Sequence, residues 1–144
     1  MPLENPSAGI KAGTVAHFAT STAPNGWLKA NGALVSRSAY AALFAVIGTT
    51  FGAGDGSTTF ALPDLRGEFV RSLDDGRGVD SGRGLGTAQA DDLKSHSHYV
   101  GISEYGSGGA RGGYGSYYLS ANTAPTGGTE TRPRNVAMLA CIKY

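Results

Sequence analysis

Only one stretch of this 144-residue sequence carries the period of a buried helix. Over 36–47, Tyr40, Leu43, Phe44 and Ile47 fall at i, i+3, i+4 and i+7, a single apolar stripe. Ser36 stands where it can cap the first turn, and Gly48 where a left-handed residue ends the last. The predicted helix therefore serves packing, and the rest of the fold has to come from strands and turns. Residues 13–19 alternate, with Thr14, Ala16 and Phe18 on one face and Val15 and His17 on the other. Pro24-Asn25-Gly26 and Asn31-Gly32 are turn signals on either side of Trp27-Leu28. A second short strand is expected over 58–62, ended by Pro63, with Asp64 closing an Asx-type turn. The fold class is α+β, one helix folded on short strands.

Individual residues in this region read mainly as structure. Trp27 is the core anchor of a small lobe, with sugar stacking the lesser alternative. His17 has no spaced partner and reads as a half-buried, hydrogen-bonded strand residue. Leu65, Phe69 and Val70 are core candidates, and Arg66 is set to pair with Asp64 or Glu68. The apolar run 137–142 is a buried last strand, with the lone Cys141 inside it as a small hydrophobe.

Glycine limits how large a core one chain can build. It makes up 23 of 144 residues, against an average near 7%, so further burial between subunits is expected. A formal net charge of +1 with scattered Lys and Arg leaves no nucleic-acid footprint. The longest apolar run, 40–47, is too short to cross a membrane, and no signal peptide is expected. A soluble protein made in a cytosol is expected.

His96 and His98 are the strongest chemical signal. In an extended strand both imidazoles share a face, about 6–7 Å apart along the chain. Taken alone, the pair is either a solvated strand end or one portion of a metal site. Two imidazoles do not fill a coordination sphere. Three copies on a threefold axis would supply six, an octahedral nitrogen set suited to Fe, Co or Ni and less typically to Zn. Residues 74–86, rich in Gly, Asp and Arg, fit neither an EF-hand nor a phosphate loop and read as a surface connection. Residues 101–128 hold nine of the 23 glycines and four of the seven tyrosines. Tyr105, Arg111, Tyr114, Tyr117 and Tyr118 suit an adaptable recognition loop. Equally, the tyrosines suit the strands of an intertwined head.

Gly13-Thr14-Val15, Pro24-Asn25-Gly26-Trp27-Leu28, Asn31-Gly32, Tyr40-Ala41-Ala42-Leu43-Phe44 and Phe60-Ala61-Leu62-Pro63-Asp64-Leu65-Arg66-Gly67 follow one another in an order and spacing that strongly resembles the phage tail collar domain. That family occurs in tail fibres of contractile-tailed bacteriophages and related pyocin-like particles. The resemblance implies a collar domain over 13–71. Residues 1–12 would be a linker or the end of a fibre shaft, and 72–144 a β-rich, loop-rich head, the whole intertwined as a homotrimer. The lead-in 88–94 and Arg132-Pro133-Arg134-Asn135 also resemble fibre tips. In such tips, paired histidines from three chains bind metal ions on the axis. Carried to His96 and His98, this implies one transition-metal ion per trimer, iron first and zinc second.

The function so implied is a receptor-binding tip in the virion tail fibre. It would attach the phage to lipopolysaccharide or capsule polysaccharide, multiplying weak sugar contacts across equivalent sites. No nucleic-acid partner and no membrane insertion are expected. A second reading is a purely structural module that trimerises and caps a fibre. A third, a glycan depolymerase, needs paired carboxylates across a cleft. Asp74, Asp75, Asp80, Asp91 and Asp92 lie in connecting sequence and no long β-helix is present, so an enzyme is not expected. The chain reads as a truncated fibre tip.

Overall fold

The computed structural model describes residues 9–97 and 127–144. Among them the elements run β1 (Val15–Phe18), β2 (Trp27–Lys29), β3 (Leu34–Ser36), α1 (Ala41–Ile47), β4 (Thr59–Ala61) and β5 (Leu139–Lys143). One helix with antiparallel sheets is the α+β class expected. Contacts divide the chain into two units, Met1–Gln89 with Asn135–Tyr144, and Ala90–Arg134. All six elements belong to the first.

The three-stranded sheet has the order β1-β5-β2, with β5 antiparallel to both neighbours. Val15 pairs with Ile142 and Phe18 with Leu139 on one side, and Trp27 with Lys143 and Lys29 with Cys141 on the other. The apolar run at 137–142 is thus a strand, as expected, but its place is the middle of the sheet that β1 and β2 begin. Its position is fixed from both sides. Gly13 N–H donates to Lys143 O at 2.9 Å, Lys143 N–H to Thr14 O at 2.9 Å, and Ala30 N–H to Ala140 O at 3.0 Å. The Lys143 ammonium adds a bond to Gly26 O at 3.1 Å, and Tyr144 meets Tyr40 edge to face at 5.0 Å.

Gly26 can receive those bonds because of its turn. Trp27 N–H donates to Pro24 O at 3.1 Å, and Gly26 has φ 83° while Asn25 keeps a negative φ. That is the type II pattern, which glycine adopts at its third position without a Cβ clash. Trp27 is buried and its ring meets Phe18 edge to face at 5.0 Å, confirming it as an anchor.

The second sheet pairs β3 with β4, Leu34 opposite Ala61 and Ser36 opposite Thr59. The same register continues outward to a bridge between Asn31 and Asp64 and inward to Arg37 N–H on Thr58 O at 2.8 Å. This ribbon corrects the helix start. Ser36 belongs to β3 and its hydroxyl serves the following turn, accepting from Ala39 N–H at 3.3 Å. Arg37 is held by the ribbon, its guanidinium donating to Thr59 O at 2.8 Å and Ala53 O at 3.0 Å. The helix therefore begins only at Ala41, and Tyr40, at the cap position, offers no side-chain bond. At its other end Gly48 stops the helix and donates its N–H to Phe44 O, but with φ 54° and ψ −130° it adopts another glycine conformation than the left-handed one expected.

Helix and sheets meet on Leu43, Phe60, Leu62 and Ile142, with Leu28, Val35, Tyr40, Phe44 and Ile47 packed around them. The apolar stripe of the sequence is that contact face. Cys141 is fully buried, and desolvation pushes its thiol up, as befits a small hydrophobe.

Three expectations fail. His17 is exposed: β1 is an outer strand, and the row formed by Val15 and His17 stays open to solvent. Phe69 and Val70 are also exposed, at 57% and 66%. After the turn closed by Glu68 N–H on Leu65 O the chain leaves the β3–β4 ribbon, and no element of the unit covers them. Leu65 itself is partly buried.

Candidate functional site

The sequence places the candidate site on a histidine pair and a tyrosine-rich loop. His98, Tyr105, Arg111, Tyr114, Tyr117 and Tyr118 lie outside the described residues. His96 and the flanks of the loop are described.

Residues 90–97 form an exposed stretch with no helix or strand assignment. The His96 Nδ1 lies 3.0 Å from the Lys94 carbonyl oxygen. A carbonyl only accepts, so Nδ1 is the donor in that contact. A backbone carbonyl on one ring nitrogen is a common support for an imidazole that ligates through the other. The donor chemistry of His96 therefore fits a metal ligand. Among the described residues, no three His, Cys, Asp or Glu side chains gather into a metal-sized cluster.

The two flanks of the loop are tied together. Thr131 N–H donates to the Asp91 carboxylate at 2.7 Å, a bond spanning 40 positions. Beside it Arg132 pairs with Glu130 at 3.0 Å. In the sequence Asp91 is only a carboxylate of the lead-in. No local signal marks it as a closing contact, since its partner is a backbone amide far along the chain.

The connection before this unit is also organised. Asp74 accepts the backbone N–H groups of Gly78, Val79 and Asp80 at 2.8, 2.7 and 2.8 Å. The Gly78 amide first, then the others, holds its carboxyl below the usual range. Asp80 pairs with Arg71 at 3.3 Å and Arg83 at 3.1 Å. Arg83 also donates to Gln89 Oε1 at 2.7 Å and Thr87 O at 3.1 Å. Residues 74–86 are therefore an exposed connection, as expected, but a braced one. A general acid needs a raised carboxyl, and Asp74 moves the opposite way.

Two further acidic residues serve turns. Asp55 binds the Thr58 hydroxyl first and then the N–H groups of Ser57, Thr59 and Thr58, which lowers its carboxyl pKa. Asp64 forms the predicted pair with Arg66, bidentate at 2.8 and 2.5 Å, and the Arg66 guanidinium lowers its carboxyl to about 2.

Known proteins share much of this chain. Residues 13–70 match the Phage Tail Collar Domain family. The chain is 37% identical over 91 residues to the uncharacterized protein StfE of Escherichia coli (strain K12), covering 63% of this chain and 46% of StfE. It is 32% identical over 164 aligned positions to protein RhiB of Rhizobium leguminosarum bv. viciae, covering 96% of this chain and 73% of RhiB. The chain thus spans less than half of StfE and nearly three quarters of RhiB.

Proposed function

Because this chain belongs to the phage tail collar domain family, we propose that it is the tip of a phage tail fibre, a homotrimer that recognises bacterial surface glycan. The observation that carries this reading is the way the collar is built. Its sheet is closed by β5, so residues 90–134 are an insertion whose two ends return to one collar, tied at Asp91 and Thr131. An inserted segment rich in Tyr, Ser and Gly, its two flanks tied to each other, suits a recognition loop.

Trimerisation is supported by what one chain leaves uncovered. Phe69, Val70, Leu73, Leu93, Val136 and Met138 are all exposed, Val136 at 86%. Side chains of this size favour burial by about 1.5–3 kcal/mol each, which association would supply. His96 and His98 from three such chains would hold one transition-metal ion, iron first and zinc second. The ion would clamp the three segments, adding its binding energy to assembly. The reading assigns the protein no catalytic step.

Glycan arrays of lipopolysaccharide and capsule polysaccharide test the recognition step. Alanine at Tyr105, Tyr114, Tyr117 and Tyr118 together is expected to cut apparent affinity by roughly 10–100-fold, since avidity multiplies each lost contact. Size-exclusion chromatography should show the assembly unchanged. Undiminished binding by this variant would point instead to a structural capping module.

A further inference from the structure

The strand order gives the collar a preferred direction of mechanical resistance. β1 and β5 are antiparallel, Val15 lying opposite Ile142 and Phe18 opposite Leu139. Tension applied between the stretch before β1 and the segment before β5 enters the ladder at Val15 on one strand and Leu139 on the other. Those are opposite ends. The strands are then drawn past each other along their length, and the inter-strand bonds, which run perpendicular to the strands, bear the load together. Tension applied between the stretch before β1 and Tyr144 enters both strands at the Val15–Ile142 end, so the same bonds break in sequence, each alone under the full load.

We propose that β5 is a shear clamp, which makes the collar resist force entering through residue 135 far better than force applied at the end of the sequence. A second ladder loads in the same way. β2 flanks β5 on its other side with Trp27 opposite Lys143 and Lys29 opposite Cys141. To withdraw β5 toward residue 135, both ladders must fail at once. The trailing residues must also leave their seats, where Tyr144 N–H bonds Gly26 O at 3.3 Å, Lys143 Nζ bonds the same oxygen, and Tyr144 packs on Tyr40. Pulled from Tyr144, these contacts go first and singly. The origin of the load rests on the fibre-tip reading, in which a tip anchored on a host pulls against its fibre. The mechanics does not.

The test is single-molecule force spectroscopy on the full chain, with one handle at the amino terminus. The second handle is placed at Val136→Cys for one geometry and beyond Tyr144 for the other. Cys141 is fully buried and does not compete for the handle chemistry. Arg134→Cys, also exposed, provides a second attachment upstream of β5 should the first perturb folding. Forced unfolding follows the unfolding rate along the pulled direction and not the equilibrium stability. The expected result is a several-fold higher unfolding force through position 136 or 134 than through the end of the sequence, with identical melting temperatures in bulk. Equal forces, or a lower force through 136 and 134, would overturn the proposal. Failure of glycan binding with the force asymmetry intact would sink the fibre-tip reading and leave the clamp.

Discussion

Removing 139–144 should leave a chain that cannot form the collar. β1 and β2 are not paired with each other; β5 is the strand that joins them. Its loss opens two ladders, empties the places of Cys141 and Ile142, and strips the core of one of its four central residues. A domain of this size is stable by only about 5–15 kcal/mol. Ile142→Ala alone is expected to cost about 2–5 kcal/mol, and the truncation removes the backbone pairing as well. Thermal denaturation followed by circular dichroism should therefore show no cooperative transition for the truncated chain. A cooperative melt within a few degrees of the full chain would mean that β5 is an accessory strand, and the insertion argument would fall with it.

Phe60→Ala should be the most damaging single substitution in the collar. The Phe60 side chain is fully buried between helix and sheets, and its ring lies 5.1 Å from that of Phe44. Phe44 in turn carries the Arg37 guanidinium 4.7 Å from its ring centroid, and Arg37 braces the β3–β4 ribbon. Truncating Phe60 leaves a cavity where the ribbon and helix meet, for an expected loss of about 3–5 kcal/mol. Urea denaturation should show the midpoint falling with the slope unchanged. A loss below about 1 kcal/mol would mean that the site collapses freely and is not the centre of packing.

What is legible in the sequence is what local pattern encodes. The stripe of Tyr40, Leu43, Phe44 and Ile47 announces the contact face of α1, since burial of one helix face leaves a 3.6-residue period. Asn25-Gly26 announces a turn because its geometry requires a positive φ. The Asp64–Arg66 pair is legible because two residues of chain bring the groups together. The misreadings share one cause. Ser36 reads as a helix cap until Thr59, far along the chain, claims it for a strand. Phe69 and Val70 are apolar, but burial needs a neighbour, and among the described residues none covers them. β5 is recognisable as a strand from its residues, yet its seat between β1 and β2 is a property of topology that no local window carries. The same limit applies to the histidines. Their spacing says they can share a face, whereas the remaining ligands of a metal would come from other chains.

The fibre-tip reading therefore stands on an assembly, three chains bringing three histidine pairs to one axis. Native mass spectrometry of the purified full chain, with no metal added, tests it most directly. The expected result is a species of three subunits carrying one transition-metal ion, with the metal lost in the His96→Ala/His98→Ala variant. A stable monomer would contradict it.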